Sequence, residues 1–130
     1  MAGNLTIITT LLGTPYLPDL QGAILLVEDI NEPAHRVDRL FFHLRNSGVY
    51  DQISALIVGD FGFSDDPYAT SFLNTSVLES TRGFDFPIIL NIPYGHGEDR
   101  LTLPVGAEMI LDSDNMSLTL SPNMIRALSA

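Results

Sequence analysis

The chain has 130 residues, six basic side chains against sixteen acidic ones for a formal charge of −10, and no cysteine or tryptophan. A chain of this size buries about two-thirds of the surface its unfolded form exposes, so a single domain over residues 1–130 is expected without disulfide or metal staples. All six cations are arginines, too few to track a phosphate backbone, so neither nucleic acid nor an anionic membrane is an expected partner. The absence of cysteine excludes thiolate metal sites and thiol nucleophiles. The longest apolar run, Ala23 to Val27, is far short of the roughly 20 residues a bilayer span needs. Met1-Ala2-Gly3 does not read as a signal peptide, and a cytoplasmic location is expected.

In chain order, Leu5 to Leu12 lies between Gly3-Asn4 and Gly13-Thr14-Pro15 and predicts a short helix, although its β-branched content would also suit a strand. Ala23 to Val27 follows Gly22 and has the continuous aliphatic character of a strand covered on both faces. It runs directly into Glu28-Asp29. From Pro33, residues Ala34, Val37, Leu40, Phe41 and Leu44 recur at helical spacing, with Pro33 suited to the first helical position and Gly48 to the left-handed residue after the last turn. A second aliphatic run, Ile53 to Val58, stops at Gly59-Asp60-Phe61-Gly62, which reads as a turn, and a weaker helix is expected within Tyr68 to Arg82. The third run, Pro87 to Ile92, stops at Pro93-Tyr94-Gly95-His96-Gly97. Leu101 to Leu103, Ala107 to Leu111 and Ser117 to Leu120 are short and alternating, and Asp112 to Asn115 supplies a turn, so late β-hairpin structure is expected.

Each of the three aliphatic runs ends at a loop carrying a titratable group: Glu28-Asp29, then Asp60, then His96. If the runs are adjacent parallel strands, those loops gather at the sheet edge where open α/β sheets place their ligands, which brings Glu28 near His96. A carboxylate beside an imidazole fixes its tautomer and lets it act as a base toward a nucleophile, two-thirds of a hydrolytic triad. The plainer reading makes Glu28 a helix cap and His96 a loop histidine. Glu28, Asp29, Asp60, His96 and Asp99 include metal-ligand types, but no diagnostic spacing is present, and no metal or other cofactor is expected. His35 and His43 read as surface or half-buried residues, and Arg36, Asp38 and Arg39 as an ion-pair face with one another, Glu32 or Asp29. Arg39 has the alternative of orienting a site acid.

Gly3-Asn4-Leu5, Leu12-Gly13-Thr14-Pro15-Tyr16, Leu26-Val27-Glu28-Asp29-Ile30-Asn31-Glu32, Val37-Asp38-Arg39-Leu40, Val58-Gly59-Asp60-Phe61, Gly95-His96-Gly97 and Leu103-Pro104-Val105-Gly106 together resemble the C-terminal half of the LD-carboxypeptidase family. That family comprises murein tetrapeptide carboxypeptidases and the related microcin self-immunity hydrolases. The resemblance implies a mixed α/β, three-layer β/β/α domain of the swivelling kind, with a small central sheet, flanking helices and short late antiparallel strands. It also implies that Glu28 and His96 supply the acid and base of a Ser-His-Glu triad whose serine sits on an N-terminal nucleophile domain, the implied partner. Asn4, near the linker, would touch substrate or the other domain; Arg39 and Asp60 are the candidates for supporting the pair from behind. None of the ten serines stands in a nucleophile-elbow setting; Ser64 is at best a loop candidate. Ala2 replaces a glycine usual in the family, which fits an artificial start. The chain is therefore expected to be an isolated half-domain, inactive alone, with an apolar docking face that would favour a homodimer. The implied substrate is a murein peptide ending in D-alanine. A non-catalytic peptide-binding or interaction domain and a hydrolase of peptide-nucleotide amides are the alternatives.

Overall fold

The computed structural model describes residues 1–97 and 100–128, with side chains through Ile125. Asp99, one of the candidate ligands, lies outside the described residues. Four strands, β1 (Ala2–Asn4), β2 (Ile24–Glu28), β3 (Ala55–Val58) and β4 (Ile88–Ile89), form a sheet in the order 1-2-3-4, every neighbouring pair parallel. Parallel neighbours need a crossover, and α1 (Leu5–Leu11), α2 (Ala34–Asn46) and α3 (Pro67–Ser80) provide the three. The register places Asn4 opposite Glu28 and Val27 opposite Val58. All four strand ends thus lie along one edge.

The side chains explain the layering. Leu25 and Val27 of β2 and Leu56 and Val58 of β3 share one core cluster with Ile8 of α1, Phe41 of α2 and Val77 of α3. The intervening residues Leu26 and Ile57 are equally buried, at 3% and 1% exposure, and project to the opposite face because side chains alternate along a strand. Here they line a cavity of about 420 Å³ whose far wall includes Leu103, Met109 and Leu118. Met109 and Leu118 belong to an antiparallel hairpin, β5 (Met109–Asp112) and β6 (Ser117–Leu120). Hairpin, sheet and helices make the expected three-layer mixed α/β arrangement.

Local chemistry sets the element ends. Asn4 caps α1 by accepting from the Ile7 N–H, and Asp66 caps α3 by accepting from Tyr68 and Ala69, each satisfying donors that the first turn leaves free. Helix α2 buries Val37, Phe41 and Leu44, and Gly48 takes φ 73° just beyond it. In the hairpin turn, Asn115 donates to the Asp112 carboxylate through both its backbone and its side chain. Arg45 of α2 donates to the carbonyls of Ser80 and Arg82 and so terminates α3. Beneath it, Tyr50 is 2% exposed, shares a hydrogen bond with Ser80, and meets the rings of Phe84 and Phe86 edge-on.

Four expectations need correction. Pro33 is the N-cap of α2, and Ala34 is its first helical residue; its extended backbone (ψ 141°) joins the helix to the loop after β2. The run Pro87 to Ile92 pairs as a strand only at Ile88–Ile89, since Pro87 lacks a donor and Asn91 adopts φ 60°. Leu101 to Leu103 is not a strand, and β1 and a closing helix α4 (Pro122–Leu128) lie where no element is expected.

Candidate active site

The edge where the parallel strands end gathers the titratable loops. Glu28 closes β2 and its side chain is 7% exposed, whereas the His96 side chain is 51% exposed; His96 Nδ1 lies 2.7 Å from Glu28 Oε2. An ionised carboxylate only accepts hydrogen bonds, so Nδ1 carries the proton and donates. That assignment leaves the lone pair on Nε2, and Nε2 has no hydrogen-bond partner among the described residues. The buried acid thus holds the inner nitrogen while the outer one faces solvent, the arrangement of a general base awaiting a proton donor.

Glycines make the contact possible. A Cβ built on Gly95, whose φ is +123°, would stand 2.9 Å from both Cβ and Oε2 of Glu28. A Cβ on Gly59 would overlap the Tyr94 carbonyl. That carbonyl accepts from Asp60 N–H at 2.8 Å, which ties the His96 loop to the end of β3. His96 opens on a cleft of about 780 Å³ bordered by Asp60, Phe61, Ser64, Asn91 and Pro93.

The other candidates fall as follows. Asp60 stands in this cleft, but its carboxylate accepts from Gly62 N–H at 2.7 Å and closes the Gly59–Gly62 turn; its link to the pair runs through its backbone. Asn4 is opposite Glu28 in the ladder and hydrogen-bonds Asp29. Arg39 is exposed on α2 and makes no ion pair among the described residues; the α2 arginine that pairs is Arg36, 3.2 Å from Glu32. Ser64 is exposed and lines the cleft, and no serine hydroxyl reaches His96 among the described residues. His35 and His43 are exposed.

Asp29 carries more than the sequence suggests. It is 2% exposed and accepts from Asn4 Nδ2, Thr6 N–H, Thr6 Oγ1 and Ile30 N–H at 2.8–2.9 Å. Carboxylates so engaged do not converge on a cation, and no group of three His, Asp or Glu among the described residues is arranged to hold a metal. No helix among those residues is long and apolar enough to cross a membrane.

Comparison with known proteins places this arrangement. The LD-carboxypeptidase C-terminal domain profile matches residues 1–111. The crystal structure of a muramoyltetrapeptide carboxypeptidase from Oxalobacter formigenes superposes with a TM-score of 0.74 at 35% identity, covering 92% of this chain and 42% of that one. The microcin C7 self-immunity protein MccF of Escherichia coli is 29% identical over 122 residues, 93% of this chain and 36% of the relative. A murein tetrapeptide carboxypeptidase of Pseudomonas aeruginosa is 27% identical over 117 residues, 89% of this chain and 38% of the relative. This chain therefore spans about two-fifths of the length of the relatives it matches. By profile, sequence and superposition alike, the chain belongs to the LD-carboxypeptidase family and corresponds to its C-terminal domain.

Proposed function

We propose that this domain supplies the acid and the base of a serine-type LD-carboxypeptidase, and that the nucleophilic serine comes from a separate folding unit. The observation that carries this reading is the 2.7 Å contact from His96 Nδ1 to the buried Glu28 carboxylate, with Nε2 left unengaged beside an open cleft. In the proposed cycle Nε2 takes the serine proton as the hydroxyl oxygen attacks the carbonyl carbon of the scissile amide. Glu28 stabilises the imidazolium. The imidazolium then protonates the departing amine, the C–N bond breaks, and water attacks the acyl-serine with Nε2 again removing a proton. Both steps use the same base, so they stop together when His96 is lost.

The substrate we infer is a murein tetrapeptide, cut at the amide between the L-centre of its diamino acid and the terminal D-alanine; the relatives named as murein carboxypeptidases support this choice. Likeness to the microcin self-immunity protein supports a second substrate class, a peptide-nucleotide amide, hydrolysed by the same pair. Without a serine at Nε2, the chain alone turns over neither.

The test places Glu28→Gln and His96→Ala in the enzyme that unites this domain with the nucleophile unit. Loss of His96 is expected to lower kcat about 10⁴-fold or more, and Glu28→Gln by about 10³–10⁴-fold, with thermal unfolding little changed. Near-normal turnover in either variant removes that residue from its role. Mixing this chain with a separately made nucleophile unit is expected to restore tetrapeptide trimming, which a non-catalytic peptide-binding domain would not do.

A further inference from the structure

His96 shares its cleft with a second polar side chain that has no partner. Asn91 lines the same cleft, and its side-chain amide hydrogen-bonds to nothing among the described residues. Thr70 and Asp60, also on the cleft wall, are engaged: Thr70 Oγ1 donates to the Phe63 carbonyl at 2.8 Å, and the Asp60 carboxylate accepts from Gly62 N–H. Backbone geometry presents Asn91 to the cleft. The register of Leu56 with Ile88 and Ile57 with Ile89 would continue with Asn91 N–H donating to the Val58 carbonyl. Ile92 N–H takes that place at 3.2 Å, so one residue is inserted, and Asn91 absorbs it at φ 60°. Bulges of this kind re-aim a side chain at a strand end and concentrate beside active sites. The chain that follows is tied at two further points, since Asp60 N–H donates to the Tyr94 carbonyl and Leu101 N–H to the Pro93 carbonyl, each at 2.8 Å. Asn91 thus stands on a fixed support with both donor and acceptor available.

Charge decides which part of a peptide such a cleft accepts. Its described wall carries the carboxylates of Asp60 and Asp65 and no arginine, in a chain of net charge −10. A murein tetrapeptide bears its terminal carboxylate on the leaving side of the scissile amide, and like charges repel it from this wall. The uncharged peptide groups on the acyl side meet no such barrier. We propose that the cleft takes the acyl side of the substrate, and that Asn91 is a substrate-binding residue whose amide hydrogen-bonds the peptide group joining the diamino acid to the residue before it. This rests on the functional reading above and deepens it, because it fixes the direction in which the peptide lies across His96. The D-alanine then points away from the Asn91 side of the base, and the diamino acid lies between His96 and Asn91.

The test uses the enzyme uniting this domain with its nucleophile unit, a murein tetrapeptide ending in D-alanine as substrate, its two products as inhibitors, and the variant Asn91→Gly. Glycine adopts a positive φ without strain, so the variant keeps the bulge and removes only the amide. KM for the tetrapeptide and Ki for the tripeptide product are each expected to rise about 5- to 10-fold, the size of one neutral hydrogen bond. The contact is the same in ground and transition states, so kcat is expected to stay within about twofold. Ki for D-alanine is expected to be unchanged. A side chain that serves only the bend in the backbone predicts wild-type constants throughout. Unchanged KM and tripeptide Ki in Asn91→Gly, or a rise in the Ki of D-alanine in place of the tripeptide, would overturn the proposal while leaving the functional reading in place. If the wild-type enzyme leaves the tetrapeptide intact, that reading fails and the proposal fails with it.

Discussion

Gly95→Ala tests the close approach of the His96 loop to the end of β2. The new methyl carbon would lie 2.9 Å from both Cβ and Oε2 of Glu28, in a backbone with φ +123°. Real carbon contacts are longer by several tenths of an ångström, so either the loop lifts or the carboxylate turns. Holding an L-residue at such a φ costs about 1–3 kcal/mol, and forcing extra volume against packed neighbours costs about 1–3 kcal/mol more. The expected total is about 2–6 kcal/mol, or a fall of about 8–24 °C in the unfolding midpoint for a domain of this size. Gly83→Ala is the internal control. Its φ is +94° with nothing within 4 Å of an added Cβ, so it carries the backbone cost alone. Turnover in the complete enzyme should separate the two further: Gly95→Ala displaces the Glu28–His96 contact and is expected to lower kcat about 100-fold, whereas Gly83→Ala leaves it within about twofold. If thermal scans and turnover place Gly95→Ala level with Gly83→Ala, the loop is not held against Glu28 as described.

Removing the Asp29 carboxylate as Asp29→Ala strands the donors of Asn4 and Thr6 and is expected to cost about 2–4 kcal/mol; urea denaturation showing under 1 kcal/mol would contradict this. Burial pushes the Tyr50 hydroxyl up to about 12 from 10.0, against the opposing effects of the Ser80 hydrogen bond and the Arg45 charge. The unfolded phenol then loses its proton before the native one does. Stability is therefore full below pH 10 and declines between pH 10 and 12, by about 2–3 kcal/mol. Tyr50→Phe should remove that share of the decline, as read from unfolding midpoints across the alkaline range.

Much of this architecture was legible in the residues because one physical signal dominated each element. Ala23 to Val27 is a continuous aliphatic run and Ile53 to Val58 is broken only at Ser54, and each holds a doubly covered strand whose end carries a titratable group. Phe41 and its helical neighbours marked the buried stripe of α2. The elements that escaped notice lack such a signal. Strand β1 is Ala2-Gly3-Asn4, residues of low strand propensity that pair because β2 offers a free edge. Helix α4 begins at Pro122 after Ser121, a start signal without an apolar stripe long enough to read. The Glu28–His96 contact followed from the order of the strands, since parallel neighbours present their loops on one side. The Asp29 network did not, because hydrogen bonds between Asn4, Thr6 and Asp29 span 23 to 25 positions of chain and leave no periodic trace. Arg39 shows the converse limit: helical spacing placed it on α2, where it is exposed and makes no ion pair among the described residues.

Nitrogen-resolved NMR of the His96 ring tests the central claim most directly. In the neutral ring the account predicts a proton on Nδ1 and a free lone pair on Nε2, and Glu28→Gln should redistribute the proton between the two nitrogens. A ring protonated on Nε2, or one whose tautomer is indifferent to Glu28→Gln, would show that the carboxylate does not hold this base and would contradict the account.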